Sequence, residues 1–188
     1  RLSQGTTFVC SAGPSVRIDS TTYGTTAGHC GPNGTVWNSG GYAFGYTNAG
    51  GEGSASYPDT DAARVAASTY AGRIWWGSTT TSASVNVVGA GDPSGAIRVY
   101  TSGGAGSTTS GTVTDLNATV CYSGSGCTSG LFKTDNTYTQ PGDSGAAVHT
   151  ESNGSAGVRG THVGSSSVRQ HAQRWSRIAS VLGVTIVT

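Results

Sequence analysis

Methionine is missing from all 188 residues, and charge is nearly so: 10 lysines and arginines stand against 9 aspartates and glutamates. A charged fraction of 10% with a formal net charge of +1 gives no basic groove for nucleic acid and no polybasic face for a membrane surface. Nor does any apolar run approach the roughly 20 residues that cross a bilayer as a helix. Cysteine is scarce, at 4, and lacks the paired spacing of a metal site, so neither a metal nor a cofactor is expected. An even cysteine count of this kind fits disulfides formed in an oxidising compartment. Because the first residue, Arg1, is not an initiator methionine, the expectation is a secreted, extracellular protein that has lost a signal peptide and a zymogen-like pro-segment.

What the chain has in quantity is glycine, at 31 positions, with serine and threonine. Glycine is costly inside a helix, and hydroxyl side chains compete for its backbone hydrogen bonds, so long helices are disfavoured. Short β-type runs fill the space instead: TTFVC, YAFGY, ARVAAS, SVNVVG, AIRVY, GTVTDLNATVCY and GAAVHT, separated by Gly, Pro, Asn and Ser turns. That pattern predicts an all-β barrel or sandwich. One stretch differs: VRQHAQRWSRIASVLG sets Ala172, Trp175, Ile178, Ala179 and Leu182 at helical spacing, with Gly183 as a stop. Arg159, Arg169, Arg174 and Arg177 nearby are read as a solvated face and not as an anion site. A seam at residues 87–95 divides the chain into residues 1–90 and 91–188.

The chemistry concentrates in three places. Ser144 lies in PGDSGA, where Gly142 has the backbone freedom to turn its own N–H and that of Ser144 toward one point. A serine hydroxyl attacks only if a base takes its proton and an acid orients the base. His29, in TAGHC, is the expected base. Asp61, in PDTDAARV, precedes a β-type run that can hold a carboxylate behind an imidazole, and Asp59 is its rival. Each residue alone has a bland reading as a turn or structural group, but the order His, Asp, Ser with these flanks points to a nucleophilic hydrolase. The tryptophan pair Trp75 and Trp76 is read as packing.

TAGHC followed far downstream by GDSG resembles the chymotrypsin-like serine proteases, and FVC…TAGHC with SGTVTDLNATV is similar to the streptogrisin branch. The resemblance is strongest over residues 8–31, 108–122 and 141–167. It implies two antiparallel six-stranded β-barrels closed by a C-terminal helix, the first barrel (1–90) carrying His29 and Asp61 and the second (91–188) carrying Ser144 and the specificity pocket. It implies an acyl-enzyme on Ser144, an oxyanion hole at the Gly142 and Ser144 amides, polypeptide substrates and a monomer. It pairs Cys10 with Cys30, pinning the His29 loop, which leaves Cys121 with Cys127 across a hairpin tip. Activity should rise as His29 loses its proton, near or slightly above the ordinary histidine value of about 6.5. Several positions depart from the family. Ala146 replaces a second glycine after the nucleophile, Arg64 stands where an apolar residue is usual, and Asp143 needs a partner, for which Arg98 is the candidate.

GTHVGSSS, residues 160–167, would wall the primary specificity pocket. Glutamyl endopeptidases of this branch carry a similar His-x-Gly-Ser-Ser, so the resemblance sets His162, Val163, Gly164 and Ser165 against the substrate side chain. It implies preference for Glu, and less for Asp, before the scissile bond, since a carboxylate leaves water only if it is paired and hydrogen-bonded. Broad or apolar specificity is the alternative, and an inactive protease-like binding protein is the alternative class. In those relatives further histidines support the pocket histidine; His149 and His171 lie nearby but offset by about one residue. The disulfide that braces their pocket is also missing, with Tyr138 and Val168 in its place.

Overall fold

The β-type runs are strands in the computed structural model, which describes residues 1–54, 57–122, 126–135 and 138–188. In chain order they are β1 (Leu2–Gln4), β2 (Thr7–Cys10), β3 (Val16–Ile18), β4 (Thr21–Thr26), β5 (Val36–Ser39), β6 (Tyr42–Ser54), β7 (Tyr57–Ala66), β8 (Arg73–Trp75), β9 (Ser84–Ala90), β10 (Arg98–Gly103), β11 (Ser107–Tyr122), β12 (Gly126–Thr134), β13 (Ala147–Ser152), β14 (Ser155–Ser165), β15 (Gln170–Arg174) and β16 (Thr185–Ile186). One helix, α1 (Trp175–Leu182), precedes β16.

The strands form two sheets, ordered β16-β3-β4-β7-β6-β5-β1-β2 and β13-β10-β11-β12-β15-β14-β9-β8. In the second, β13 also pairs with β14, which closes β10, β11, β12, β15, β14 and β13 into a six-stranded barrel. Pairing is antiparallel except between β14 and β9. The sheets do not divide the chain at residue 90: β8 and β9 hydrogen-bond into the second sheet, and β16 returns to pair with β3 in the first.

Alternation along the strands decides which side chains enter each core. Leu2, Cys10, Ala27, Cys30, Trp37 and Val65 pack together in the first sheet, and Val99, Val113, Phe132, Val148 and Ala172 inside the second barrel. Val16, Ala62, Ile74, Val87, Ala147, Val158, Trp175, Ile178 and Leu182 form a cluster that joins both sheets to the helix.

The helical reading starts too early. Residues 170–174 are strand β15, with Ala172 in the barrel core, and the helix begins at Trp175. Helical spacing and strand alternation overlap over so short a run, and pairing with β12 and β14 decides for strand. The stop at Gly183 is as expected: it is left-handed (φ 63°), and its N–H reaches the Ala179 carbonyl. At the other end Asp92 caps the helix from the seam, its carboxylate accepting the Ser176 N–H (2.8 Å) and Oγ–H (2.6 Å). Arg159, Arg169, Arg174 and Arg177 each donate to neighbouring protein oxygens. Trp76 packs on Tyr100 and His149, at 5.1 and 5.5 Å between ring centroids, and Trp75 Nε1 donates to Thr81 O.

Candidate active site

The first sheet brings His29 and Asp61 together by register. Thr26, at the end of β4, is opposite Ala63 on β7, so Asp61, two residues earlier on β7, lies under the 3-10 turn Gly28–Cys30 that follows β4. The His29 N–H donates to Asp61 Oδ1 at 2.9 Å, and His29 Nδ1 is 2.7 Å from Oδ2. This two-point grip fixes the ring plane and sets the Nδ1 proton toward the carboxylate, leaving Nε2 as the basic nitrogen. Asp61 is fully buried while the His29 side chain is 32% exposed. Asp59, the rival, is exposed with a left-handed backbone (φ 56°), whereas both bonds to His29 described above come from Asp61. Arg64 lies over the Tyr23 ring at 4.5 Å and donates to Asn48. The Cys10–Cys30 disulfide ties the 3-10 turn to β2. Cys10, His29 and Cys30 are the grouping of ligand atoms close enough for a metal among the described residues, but both sulfurs are in that disulfide and offer no thiolate.

Ser144 enters the same place from the second barrel. Its carbonyl accepts the Ser11 N–H at 2.8 Å, next to Cys10. The following residue, Gly145 (φ +86°), packs so closely on Thr26 and Ala27 that a Cβ would fall 2.3 Å from Thr26 Oγ1. Within the loop the amides of Asp143, Gly145 and Ala146 donate to Gln140, His162 and Asp143 carbonyls. Among the described residues the Gly142 and Ser144 amides donate to nothing else, and these are the two expected to receive an oxyanion. Gly142 has φ +100°, and a Cβ there would meet the Phe8 ring at 2.5 Å, so glycine is required twice over. Ser144 Oγ donates weakly to Val163 O at 3.4 Å. Ala146 is fully buried, outside the left-handed region, so its methyl group needs no backbone shift.

Among the described residues Asp143 has no arginine partner. Its Oδ1 accepts the Ala105 and Gly106 amides (2.8 and 3.0 Å) and its Oδ2 the Gln140 amide (2.9 Å). The exposed Arg98 instead donates to Ser110 Oγ at 2.6 Å and lies over the Tyr100 ring. Three amides satisfy a buried carboxylate as well as a cation does. A Cβ at Gly103 or Gly106 would collide with the carboxylate oxygens, so the Gly-rich stretch SGGAGS forms most of the cradle, a signal present in the sequence.

No protein-family model matches the chain. Over 145 residues it is 38% identical to serine protease 2 of Streptomyces fradiae, covering 74% of this chain and 79% of that one. It belongs to the chymotrypsin-like serine proteases of bacteria. Its fold superposes on Protease A of Thermobifida fusca with a TM-score of 0.79 at 28% identity, covering 95% of this chain and 91% of the other. A glutamic-acid-specific serine protease, described as using a histidine triad in substrate binding, gives 0.76 at 28% identity, with 94% and 92% covered.

In this serine protease the three C-terminal histidines do not share the barrel interior. His162 is 2% exposed; burial, and then His29 and His171 nearby, push its imidazole down to about 3. It is neutral in neutral solution, and its Nδ1 has no hydrogen-bond partner among the described residues. Beside it inside the barrel are Val148 and Ala172. His149, one residue beyond Val148, faces the other way, with Nε2 3.1 Å from Ser102 Oγ. His171, one residue before Ala172, bonds Tyr122 Oη through Nδ1 at 3.0 Å. With a side-chain period of two, an offset of one residue turns each histidine out of the barrel. Val163 is buried, Ser165 is exposed, and a Cβ at Gly164 would stand 3.0 Å from Tyr122 Oη, so Tyr122 covers that part of the wall. Sequence reasoning missed Tyr122 and Phe8, whose contacts arise only from tertiary packing. The Cys121–Cys127 disulfide forms within the β11–β12 pair that carries Tyr122; residues 123–125, the expected hairpin tip, lie outside the described residues. Tyr138 and Val168 are exposed.

Proposed function

We propose that this serine protease is a secreted, monomeric endopeptidase that works through an acyl-enzyme on Ser144. The observation that carries the reading is the two-point grip of the buried Asp61 on His29, set against the Ser144 loop. Ser144 Oγ leaves its weak bond to Val163 O and attacks the peptide carbonyl carbon, while His29 Nε2 takes its proton. Asp61 stabilises the imidazolium so formed. The carbonyl oxygen, now negative, receives the Gly142 and Ser144 amides, preorganised by the glycine conformation and by Phe8. His29 then protonates the leaving amine, and water repeats the sequence on the ester. Two disulfides fit an extracellular setting.

Preference for Glu, and less for Asp, before the scissile bond is supported by the buried His162, whose Nδ1 is a polar atom in want of a partner. A carboxylate arriving there supplies one, and draws a proton onto an imidazole that is neutral without it. The second reading, preference for medium-sized apolar side chains, is favoured by the same neutrality and by the outward turn of His149 and His171.

Peptides that differ only before the scissile bond decide between them, cleaved by wild type, Ser144→Ala and His162→Ala. Cleavage after Glu that Ser144→Ala abolishes and His162→Ala redirects to apolar residues is the expected result. Cleavage after apolar residues that His162→Ala leaves unchanged would discard the carboxylate pocket and keep the triad.

A further inference from the structure

We infer that Gln173 is a positioning residue for Asp61 and, through it, for His29; the inference rests on the reading of Asp61 as the acid that orients the base. Gln173 lies on β15 in the second barrel and is fully buried. Its Oε1 accepts the backbone N–H of Asp61, on β7 of the other sheet, at 3.1 Å. Its Nε2 donates to the Ser129 and Gly130 carbonyls, each at 3.1 Å. The amide has only this orientation, since a half-turn would set its NH2 against the Asp61 N–H.

The attachment point matters more than the number of bonds. Any buried glutamine can join two sheets, but this one ends on the amide of the residue whose carboxylate must keep one oxygen on the His29 N–H and the other on Nδ1. The neighbouring Thr60 is held from the same side, its Oγ1 accepting Arg177 Nε of α1 at 2.9 Å. Gln173 itself cannot drift. It pairs with Thr161 on β14 and Leu131 on β12, and its carbonyl lies 1.9 Å from where a Cβ at Gly160 would be. The second barrel thus carries both the nucleophile and the stop that sets the height of Asp61 in the first. Loss of the stop leaves a buried N–H unpaired at Asp61, and the strand shifts to find a partner.

The test compares Gln173→Met, close in volume but without acceptor or donors, with Gln173→Glu, which keeps an acceptor for the Asp61 N–H. kcat, KM and the pH profile are measured on active-site-titrated enzyme with a peptide substrate. In Gln173→Met, kcat should fall about tenfold or more with KM nearly constant, as for displacement of a catalytic group by a fraction of an ångström. Its acid limb should move to lower pH, because a carboxylate held less well stabilises the imidazolium less. Gln173→Glu should recover most of kcat and bring the acid limb back to the wild-type position or above it. A Gln173→Met enzyme with lowered Tm but unchanged kcat and acid limb would leave Gln173 a structural clamp only, and equal impairment in both variants would do the same. Should Gln173→Met not fold, Gln173→Glu decides alone: near-wild-type kcat sustains the inference and a tenfold fall overturns it. Asp61→Asn separates the two claims, since activity that survives it removes Asp61 from the mechanism, whereas activity lost there but kept in Gln173→Met removes only Gln173.

Discussion

Replacing His149 by glutamine should make the stability of the protein less dependent on pH while lowering it at neutrality. His149 is fully buried against Trp76 and Tyr100 and bonded to Ser102; burial pushes its imidazole down to about 4, and the Thr150 carbonyl and Glu151 only partly offset this. An unfolded chain protonates its histidine near 6.5. The folded state therefore resists a proton that the unfolded state accepts, so stability is full above about 6.5 and is lost as pH falls toward 4. For one group with these two values, the loss between pH 7.5 and 5 is about 2 kcal/mol, and about 3 kcal/mol by pH 4. In a chain of this length about 2 kcal/mol corresponds to roughly 4–8 °C in Tm. His162, pushed down to about 3, acts in the same direction and is common to both proteins, so the comparison must be one of differences. Urea unfolding at pH 7.5 and pH 5, in a Ser144→Ala background that cannot digest itself, supplies the four stabilities needed. His149→Gln should lose about 2 kcal/mol less than its parent between the two pH values. An identical loss in the two proteins would mean that His149 takes up its proton in the folded state as readily as in the unfolded one, and the burial argument would fail.

Gly142→Ala should lower kcat by about 10²–10³ with little change in KM, since φ +100° and the Phe8 ring at 2.5 Å both oppose a Cβ and the displaced amide is the proposed oxyanion donor; pre-steady-state acylation rates measure it, and a rate within a factor of three of wild type would remove Gly142 from the hole. Asp143→Asn leaves one oxygen for three amide donors, so it should cost roughly 2–4 kcal/mol in urea unfolding; an unchanged midpoint would contradict the cradle. Removing the Cys121–Cys127 bridge, whose ends are 6 positions apart in sequence, should cost about 2 kcal/mol and spare activity. Losing Cys10–Cys30, separated by 20, should cost about 3 kcal/mol and also slow cleavage, because it frees the His29 turn. Equal kinetic effects from the two would refute that distinction.

The candidate site was legible because its residues carry their own flanks: His29 stands beside the cysteine that anchors its turn, and Ser144 lies in a loop whose glycines, Gly142 and Gly145, adopt the conformations it demands. The seven β-type runs were legible because each sets β-branched or aromatic residues between turn signals. Strands such as β4 (TTYGTT) and β14 (SAGVRGTHVGS) were not, because threonine and glycine serve sheets and turns alike. What the sequence withheld was the partner across space. Arg98 was the candidate partner of Asp143 by resemblance to the bacterial enzymes, yet SGGAGS delivers two backbone amides and Gln140 a third, at no cost in charge. His149 and His171 look like pocket residues by distance along the chain, and only parity along β13 and β15 reveals that both face outward. Parity leaves His162 as the lone histidine in the barrel interior, which gives the carboxylate reading a sharper form than sequence alone allowed. If this protease cuts after Glu, it does so with one neutral imidazole that must gain its proton with the substrate, so its kcat/KM for Glu substrates should fall at high pH sooner than for apolar ones. A constant ratio of the two from pH 6 to 9 would show that no proton is taken up with the substrate, and the pocket would then select by shape.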